Sequence, residues 1–175
     1  MNMKDYIVLA IMLAAITVWS PTASALDIIG IYAGVSTGKA EIVDSNPTQD
    51  DTATKVYAGY RMFGPLSIEV AQIDFGKYSS GLAEIGGTGA NLVLTLPLPI
   101  VDIFAKVGVL NWKIDYAPVT GLSSQDGTDP AYGFGVDFSI FPLLAVRLEY
   151  EKFQDIGTPP ANDIDLMSIG LNISF

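Results

Sequence analysis

The segment from Met167 to Phe175 alternates between apolar and polar side chains without a break. Since successive side chains of a strand point to opposite faces, this pattern predicts a β-strand with one apolar face and one polar face. A strand of about nine to eleven residues is long enough to cross a bilayer when it is tilted. The predicted apolar face carries Met167, Ile169, Leu171, Ile173 and Phe175.

Seven upstream segments show the same alternation, and turn-rich sequence separates them. They cover about 28–37, 52–62, 66–75, the stretch up to 96, 101–112, 132–140 and 144–153. Short turns at 62–65, 97–100 and 141–143 alternate with long connections at 38–51, 76–84, 113–130 and 154–164. Short turns on one rim and long loops on the other are typical of outer-membrane barrels. We therefore predict an all-β fold, an eight-stranded antiparallel up-and-down transmembrane β-barrel.

The amino-terminal segment predicts export. Residues 7–18 are apolar except for Thr17, and Ala23-Ser24-Ala25 follow as a small-residue cleavage signal. A single membrane anchor is the alternative, but the apolar run is shorter than the roughly 20 residues that a spanning helix needs. We expect a signal peptide at 1–25, cleavage between Ala25 and Leu26, and a barrel domain at 26–175.

Charge distribution bears on which face of the barrel meets lipid. A soluble lipocalin-like barrel would place its apolar residues inside and its charges outside. The middle of each apolar face here carries no charge, whereas positive and negative side chains nearly balance on the opposite faces. We therefore expect apolar residues outside and a charge network inside the lumen. Its candidate members are Lys55, Arg61, Glu69, Asp102, Lys106, Asp137, Arg147, Glu149 and Glu151.

Composition excludes several classes of function. The sequence has no His and no Cys, so it offers no Ser-His-Asp triad and no imidazole or thiolate metal site. Its net charge of −10 argues against nucleic-acid binding, which needs a basic surface. We predict a protein that is not an enzyme and that uses no cofactor or metal.

The signal sequence, the eight alternating strands, the long loops and the final Ile173-Ser174-Phe175 resemble the small outer-membrane β-barrel families, OmpA-like and opacity-protein-like. The resemblance implies a Gram-negative outer membrane reached through the periplasm. It also implies that the last strand is the signal for the barrel-assembly machinery. OmpA carries a peptidoglycan-binding domain after its barrel, and we expect no such function from this sequence, which ends at its eighth strand.

The predicted role is support of membrane integrity together with surface interaction through acidic extracellular loops. Expected partners of this monomer are outer-membrane lipid, lipopolysaccharide and a host or phage surface ligand. The resemblance keeps a second function open, a narrow gated ion channel in which the lumen charges re-pair around Arg147. A soluble lipid-binding barrel is a third alternative. The loop carboxylates are Glu41, Asp44, Asp50, Asp51, Asp126, Asp129, Asp155 and Asp163.

Overall fold

A computed structural model describes residues 30–43, 49–78, 81–157 and 162–175. Its strands are β1 (Gly30–Ile42), β2 (Gln49–Phe63), β3 (Leu66–Tyr78), β4 (Ala83–Pro97), β5 (Val101–Tyr116), β6 (Gln125–Phe141), β7 (Leu144–Ile156) and β8 (Asn162–Ser174), with a short 3-10 helix at Pro118–Thr120. Each strand pairs antiparallel with its neighbours in sequence, and β1 pairs with β8 to close the barrel. The predicted eight-stranded up-and-down barrel is confirmed.

Strand register shows that the strands are tilted. Directly paired residues followed around the barrel from Tyr32 return to β1 at Ile42 and not at Tyr32. This stagger is the shear that a closed barrel requires, because its strands must lie oblique to the barrel axis. An eight-stranded barrel has an interior just wide enough for side chains to fill. Inward side chains therefore decide what the lumen can do.

An apolar belt surrounds the half of the barrel nearer the short turns. Its outward side chains are large and exposed, as predicted for a surface that meets lipid. Its members include Ile31, Val35, Ile68, Val70, Leu92, Leu94, Ile103, Val107, Phe134, Phe138, Leu148, Met167, Ile169 and Leu171. Within the described ranges, no helix has the length and apolar character needed to span a bilayer.

The strands are longer at the long-loop rim than the sequence pattern predicted. β5 continues to Tyr116 and β6 begins at Gln125, so the expected connection at 113–130 shrinks to 117–124. Polar outward residues made these strand ends resemble loops, although their backbones keep pairing across the barrel. The assignment of the acidic residues to loops is corrected accordingly. Glu41, Asp50, Asp51, Asp126, Asp129, Asp155 and Asp163 all lie on strands.

Three predicted features lie outside the described residues. These are the cleavage site at Ala25 and Leu26, the signal segment before it, and the loop carboxylate Asp44.

Candidate functional site in the barrel lumen

The middle of the lumen contains a cluster of charged side chains. The structure brings seven of the nine predicted lumen charges together, each of them buried. We call this cluster the ion-pair network. It comprises Lys55, Glu69, Lys106, Asp137, Arg147, Glu149 and Glu151.

Arg147 holds one end of the ion-pair network. It is paired directly with Asp137 across β6 and β7, and its Nε and Nη2 donate to the two Asp137 carboxylate oxygens at 2.8 Å each. Its Nη1 donates to Glu69 Oε2 at 2.9 Å. The guanidinium also lies over the rings of Phe104 and Tyr57, at 4.4 and 4.5 Å from their centroids. Such bidentate, ring-stacked geometry suits Arg and cannot be reproduced by Lys.

Two lysines hold the other end of the network. Glu149 and Glu151 project inward from successive inward positions of β7, and each contacts both Lys55 and Lys106. Lys106 Nζ also lies 3.4 Å from Glu69 Oε1, which joins this group to Arg147. Buried charges cost several kcal/mol each unless they are paired, so the network satisfies groups that would otherwise destabilise the barrel.

The remaining two predicted lumen charges lie near the short-turn rim. Arg61 Nη2 donates to Ser174 Oγ at 3.1 Å, and its guanidinium lies over the Tyr32 ring. Asp102 is opposite Asp137 in the β5–β6 register, yet no ion pair among the described residues includes Asp102. The structure therefore does not join Arg61 or Asp102 to the ion-pair network.

Beyond the network, toward the long-loop rim, the lumen is filled by apolar side chains that we call the outer core. Phe75 and Phe153 meet edge to face there, with ring centroids 5.0 Å apart. Inward side chains here are mainly apolar and outward ones mainly charged or polar, so the sidedness of the belt is reversed. The inward carboxylate of Asp129 is an exception, and it accepts a hydrogen bond from Trp112 Nε1 at 2.6 Å. The outer core comprises Ile73, Phe75, Tyr78, Ile85, Leu110, Trp112, Ile114, Phe153, Ile156, Ile164 and Leu166.

Sequence reasoning missed this reversal. The sequence signal for it is Lys113-Ile114-Asp115 at the end of β5, where the two charged residues occupy outward positions and Ile114 an inward one. A row of outward amides and hydroxyls, the polar ladder, marks the change. Its four residues are directly paired across β3 to β6, with hydrogen bonds of 2.8 and 2.9 Å. They are Gln72, Thr88, Asn111 and Thr128.

Aromatic side chains fill the lumen by folding flat over glycines on the neighbouring strand. The Tyr32 ring lies so close to Gly59 that an added Cβ would be 2.1 Å from Tyr32 Cζ. Each aromatic residue is directly paired with its glycine in the strand register. Only a residue without a side chain leaves room for these rings. The pairs are Tyr32–Gly59, Tyr57–Gly34, Phe104–Gly135 and Trp112–Gly127.

Charged side chains at the long-loop rim form small surface groups. Lys152 Nζ lies 3.0 Å from Asp163 and 3.5 Å from Asp165, and the hydrogen bond with Asp163 raises the pKa of Lys152. Lys39 Nζ lies 3.6 Å from a Glu41 carboxylate oxygen and 3.4 Å from one of Asp50. In the part of the chain that the structure describes, no three His, Cys, Asp or Glu side chains are grouped as metal ligands would be.

With this geometry in view, the family model of the OmpA-like transmembrane domain matches residues 28–175. The chain belongs to this family. Outer membrane protein A of Escherichia coli O157:H7 is 27% identical over 165 residues, which cover 82% of this chain and 47% of that protein. The Salmonella typhi protein of the same name is 25% identical over 169 residues, covering 82% and 48%. The chain thus spans about half the length of the curated relatives it matches.

Solved structures share the fold at low identity. Neisserial surface protein A matches with a TM-score of 0.64 at 18% identity, covering 83% of this chain and 97% of that one. The N-terminal barrel of Pseudomonas aeruginosa OprF gives 0.62 at 11%, covering 84% and 96%. Ail of Yersinia pestis, in complex with the heparin analogue sucrose octasulfate, gives 0.54 at 17%, covering 83% and 99%.

These comparisons place the OmpA-like barrel in the bacterial outer membrane, so the predicted location is confirmed. The apolar belt is therefore the surface that contacts membrane lipid. The family is generally non-enzymatic, and membership of it is consistent with a structural or surface role. In outer-membrane barrels of this kind the long loops lie outside the cell and the short turns face the periplasm.

Proposed function

We propose that this protein is a closed, non-enzymatic barrel that supports the outer membrane and presents a rigid rim to the surroundings. The observation that carries the proposal is that two successive layers of side chains fill the lumen. The ion-pair network occupies its middle, and the outer core occupies the part beyond the membrane. Both layers fix the wall of the barrel from inside, which suits a scaffold better than a pore.

A gated ion channel needs a continuous water path through both layers. Re-pairing of Arg147 from Asp137 toward Glu149 would rearrange only the ion-pair network. Leu110, Trp112 and Phe153 would still fill the lumen between the network and the outer mouth. An apolar constriction of this kind excludes water and ions. We therefore favour the scaffold over the gated channel.

Conductance in planar bilayers tests this choice. We expect the wild-type barrel and the Arg147→Ala variant to show no steady single-channel conductance. A gel shift on boiling, the mark of a folded barrel, is the check that each variant is closed before it is recorded. Steady stepwise currents from folded Arg147→Ala at levels absent from the wild type would overturn the scaffold and favour the gate.

The surface-interaction part of the proposal rests on the charge of the outer rim. Carboxylates at the outer strand ends outnumber the lysines among them, and the whole chain carries a net charge of −10. Ail has been seen with a sulfated ligand, whereas an acidic rim repels sulfate. We propose that a host or phage ligand of this protein is cationic. The folded barrel should bind poly-lysine, more weakly as the salt concentration rises, and should not bind heparin. Binding of heparin but not of poly-lysine would contradict this proposal.

The route to the membrane is also part of the proposal. A signal peptide at 1–25 would be removed between Ala25 and Leu26, leaving the barrel domain at 26–175. The barrel-assembly machinery would bind the β8 face carrying Met167, Ile169, Leu171, Ile173 and Phe175, and the assembled monomer would contact lipopolysaccharide. Intact-mass analysis of protein extracted from outer membranes should give a chain that begins at Leu26. A mass that retains residues 1–25 would refute cleavage.

A further inference from the structure

The three turns of the short-turn rim carry only apolar side chains. The rim consists of residues 63–65, 98–100 and 141–143, which are Phe-Gly-Pro, Leu-Pro-Ile and Phe-Pro-Leu, so it carries no charged or hydrogen-bonding side chain. The exposed fractions of its large side chains are similar to those of the apolar belt. Their exposed fractions are 63% for Phe63, 42% for Leu98, 72% for Ile100, 63% for Phe141 and 60% for Leu143.

This rim is continuous with the apolar belt. Leu94 and Leu96 lead along β4 to Leu98, and the outward face of β6 leads through Phe138 and Ile140 to Phe141. The opposite edge of the belt is different, because the polar ladder and then charged residues end it there. The belt therefore has a polar boundary toward the outside and none before the turns on the periplasmic side.

Several backbone groups of the short turns need no water as a hydrogen-bond partner. Each turn contains a proline, which has no N–H to satisfy. The carbonyl oxygens of Pro65, Ile100 and Leu143 accept hydrogen bonds from Thr95, Ser139 and Ser174 at 2.8, 3.2 and 3.0 Å. Exposed backbone in a turn usually bonds to water, but backbone in lipid must be satisfied within the protein.

We propose that the short-turn rim is immersed in the inner leaflet of the outer membrane, where phospholipid acyl chains contact its side chains. Large apolar surface that is left in water is costly, and contiguous exposed patches mark interaction sites. The occupant is lipid and not a periplasmic protein, because the rim continues the lipid-contacting belt and its turn side chains are all apolar. The nearest charged side chains, Arg61 and Asp102, are at inward positions of β2 and β5 and do not belong to the outward surface. The barrel accordingly sits low in the membrane, with its outer strand ends projecting into water.

Single-cysteine labelling tests the immersion directly, since the chain has no native cysteine. We would introduce Leu98→Cys, Ile100→Cys and Leu143→Cys, attach an environment-sensitive fluorophore, and reconstitute each folded barrel in phosphatidylcholine vesicles. Val119→Cys is the matched control, because Val119 is also apolar and is 83% exposed in the outer connection.

The expected result is a contrast between the two ends of the barrel. Fluorophores on the short-turn rim should be quenched by phosphatidylcholine that is spin-labelled high on its acyl chain. They should be quenched several-fold less by iodide than the fluorophore at position 119. Three positions on two turns keep the test valid if one variant fails to fold. Iodide quenching equal to that of the control, at all folded positions, would overturn immersion and would point to a periplasmic protein as the occupant.

Discussion

At the scale of single residues, Arg147 is a buried charge that depends on several specific contacts. It bridges two carboxylates on different strands, Asp137 and Glu69, and it stacks on two aromatic rings while almost fully buried. Removing one partner of a buried ion pair costs more than the pair contributes, because the other charge is left without compensation.

We therefore predict that Arg147→Ala lowers the free energy of unfolding by about 3–5 kcal/mol. The control is Lys113→Ala, which removes an exposed pair with Asp115 at 2.7 Å and should cost about 0–1 kcal/mol. Urea titration of both variants in phospholipid vesicles, followed by tryptophan fluorescence, gives the comparison. Equal losses would mean that the ion-pair network adds no more than a surface contact.

A second residue-scale feature lies at the outer rim, where Asp51 stabilises a β-bulge. The register between β3 and β4 shifts at Gly76, which has a φ of 92° that favours glycine. Asp51 accepts hydrogen bonds from the backbone N–H of Lys77 and, at 2.7 Å, of Thr52. The bond from Lys77, followed by that from Thr52, holds the pKa of Asp51 below its ordinary value.

This lowered pKa predicts a pH-dependent difference between the wild type and Asp51→Asn. A carboxylate with a depressed pKa in the folded state stabilises above its unfolded pKa of about 3.9 and loses that effect as pH falls through the folded pKa. The urea midpoint of the wild type should exceed that of Asp51→Asn at neutral pH, and the two should converge under acid conditions. If the difference in urea midpoint stayed constant as the pH fell to the pKa of Asp51 in the folded state, the Asp51 carboxylate would not be the source of that difference.

At the scale of strands, aromatic rings and glycines determine how neighbouring strands pack. In each pair the ring occupies the space of the missing side chain on the opposite strand, as at Tyr32 and Gly59. This arrangement lets large rings lie against the wall of a narrow barrel and leaves the centre to charged groups. Glycine is therefore required at these positions by close approach of a ring.

We predict that Gly59→Ala destabilises the barrel by about 1–3 kcal/mol, because the new methyl group collides with Tyr32. The matched control is Gly89→Ala, also inward-facing, where the atom nearest an added Cβ is 3.5 Å away. That variant should unfold close to the wild type in the same urea titration. If Gly89→Ala were as destabilising as Gly59→Ala, backbone freedom would explain the glycines better than ring packing.

Strand-level features also show what the sequence could and could not predict. Alternation is local, so it was enough to predict the faces of all eight strands, such as inward Lys106 between outward Ala105 and Val107. The sequence does not distinguish the β5 and β6 ends beyond the belt from loops, because polar residues that face water resemble loop sequence. The partners of Arg147 could not be predicted, because they depend on the register and stagger of strands far apart in sequence.

At the scale of the whole molecule, the barrel has two zones with opposite sidedness. In the membrane, apolar residues face lipid and the ion-pair network fills the interior. Beyond the polar ladder, charged residues face water and the outer core fills the interior, as in a soluble barrel. One closed sheet thus presents an apolar surface to lipid and a polar surface to water, and the outer core lies between the ion-pair network and the outer mouth. The proposed scaffold function depends on this change.

Residue-resolved NMR of the barrel in lipid nanodiscs tests the two-zone account most directly. A paramagnetic reagent held in the lipid should broaden the β5 amides of Val107 and Val109, and a water-soluble one should broaden those of Lys113 and Asp115. The crossover should fall at Asn111, on the polar ladder. Broadening of Lys113 and Asp115 by the lipid-held reagent would contradict the account, because the outer core would then lie inside the membrane.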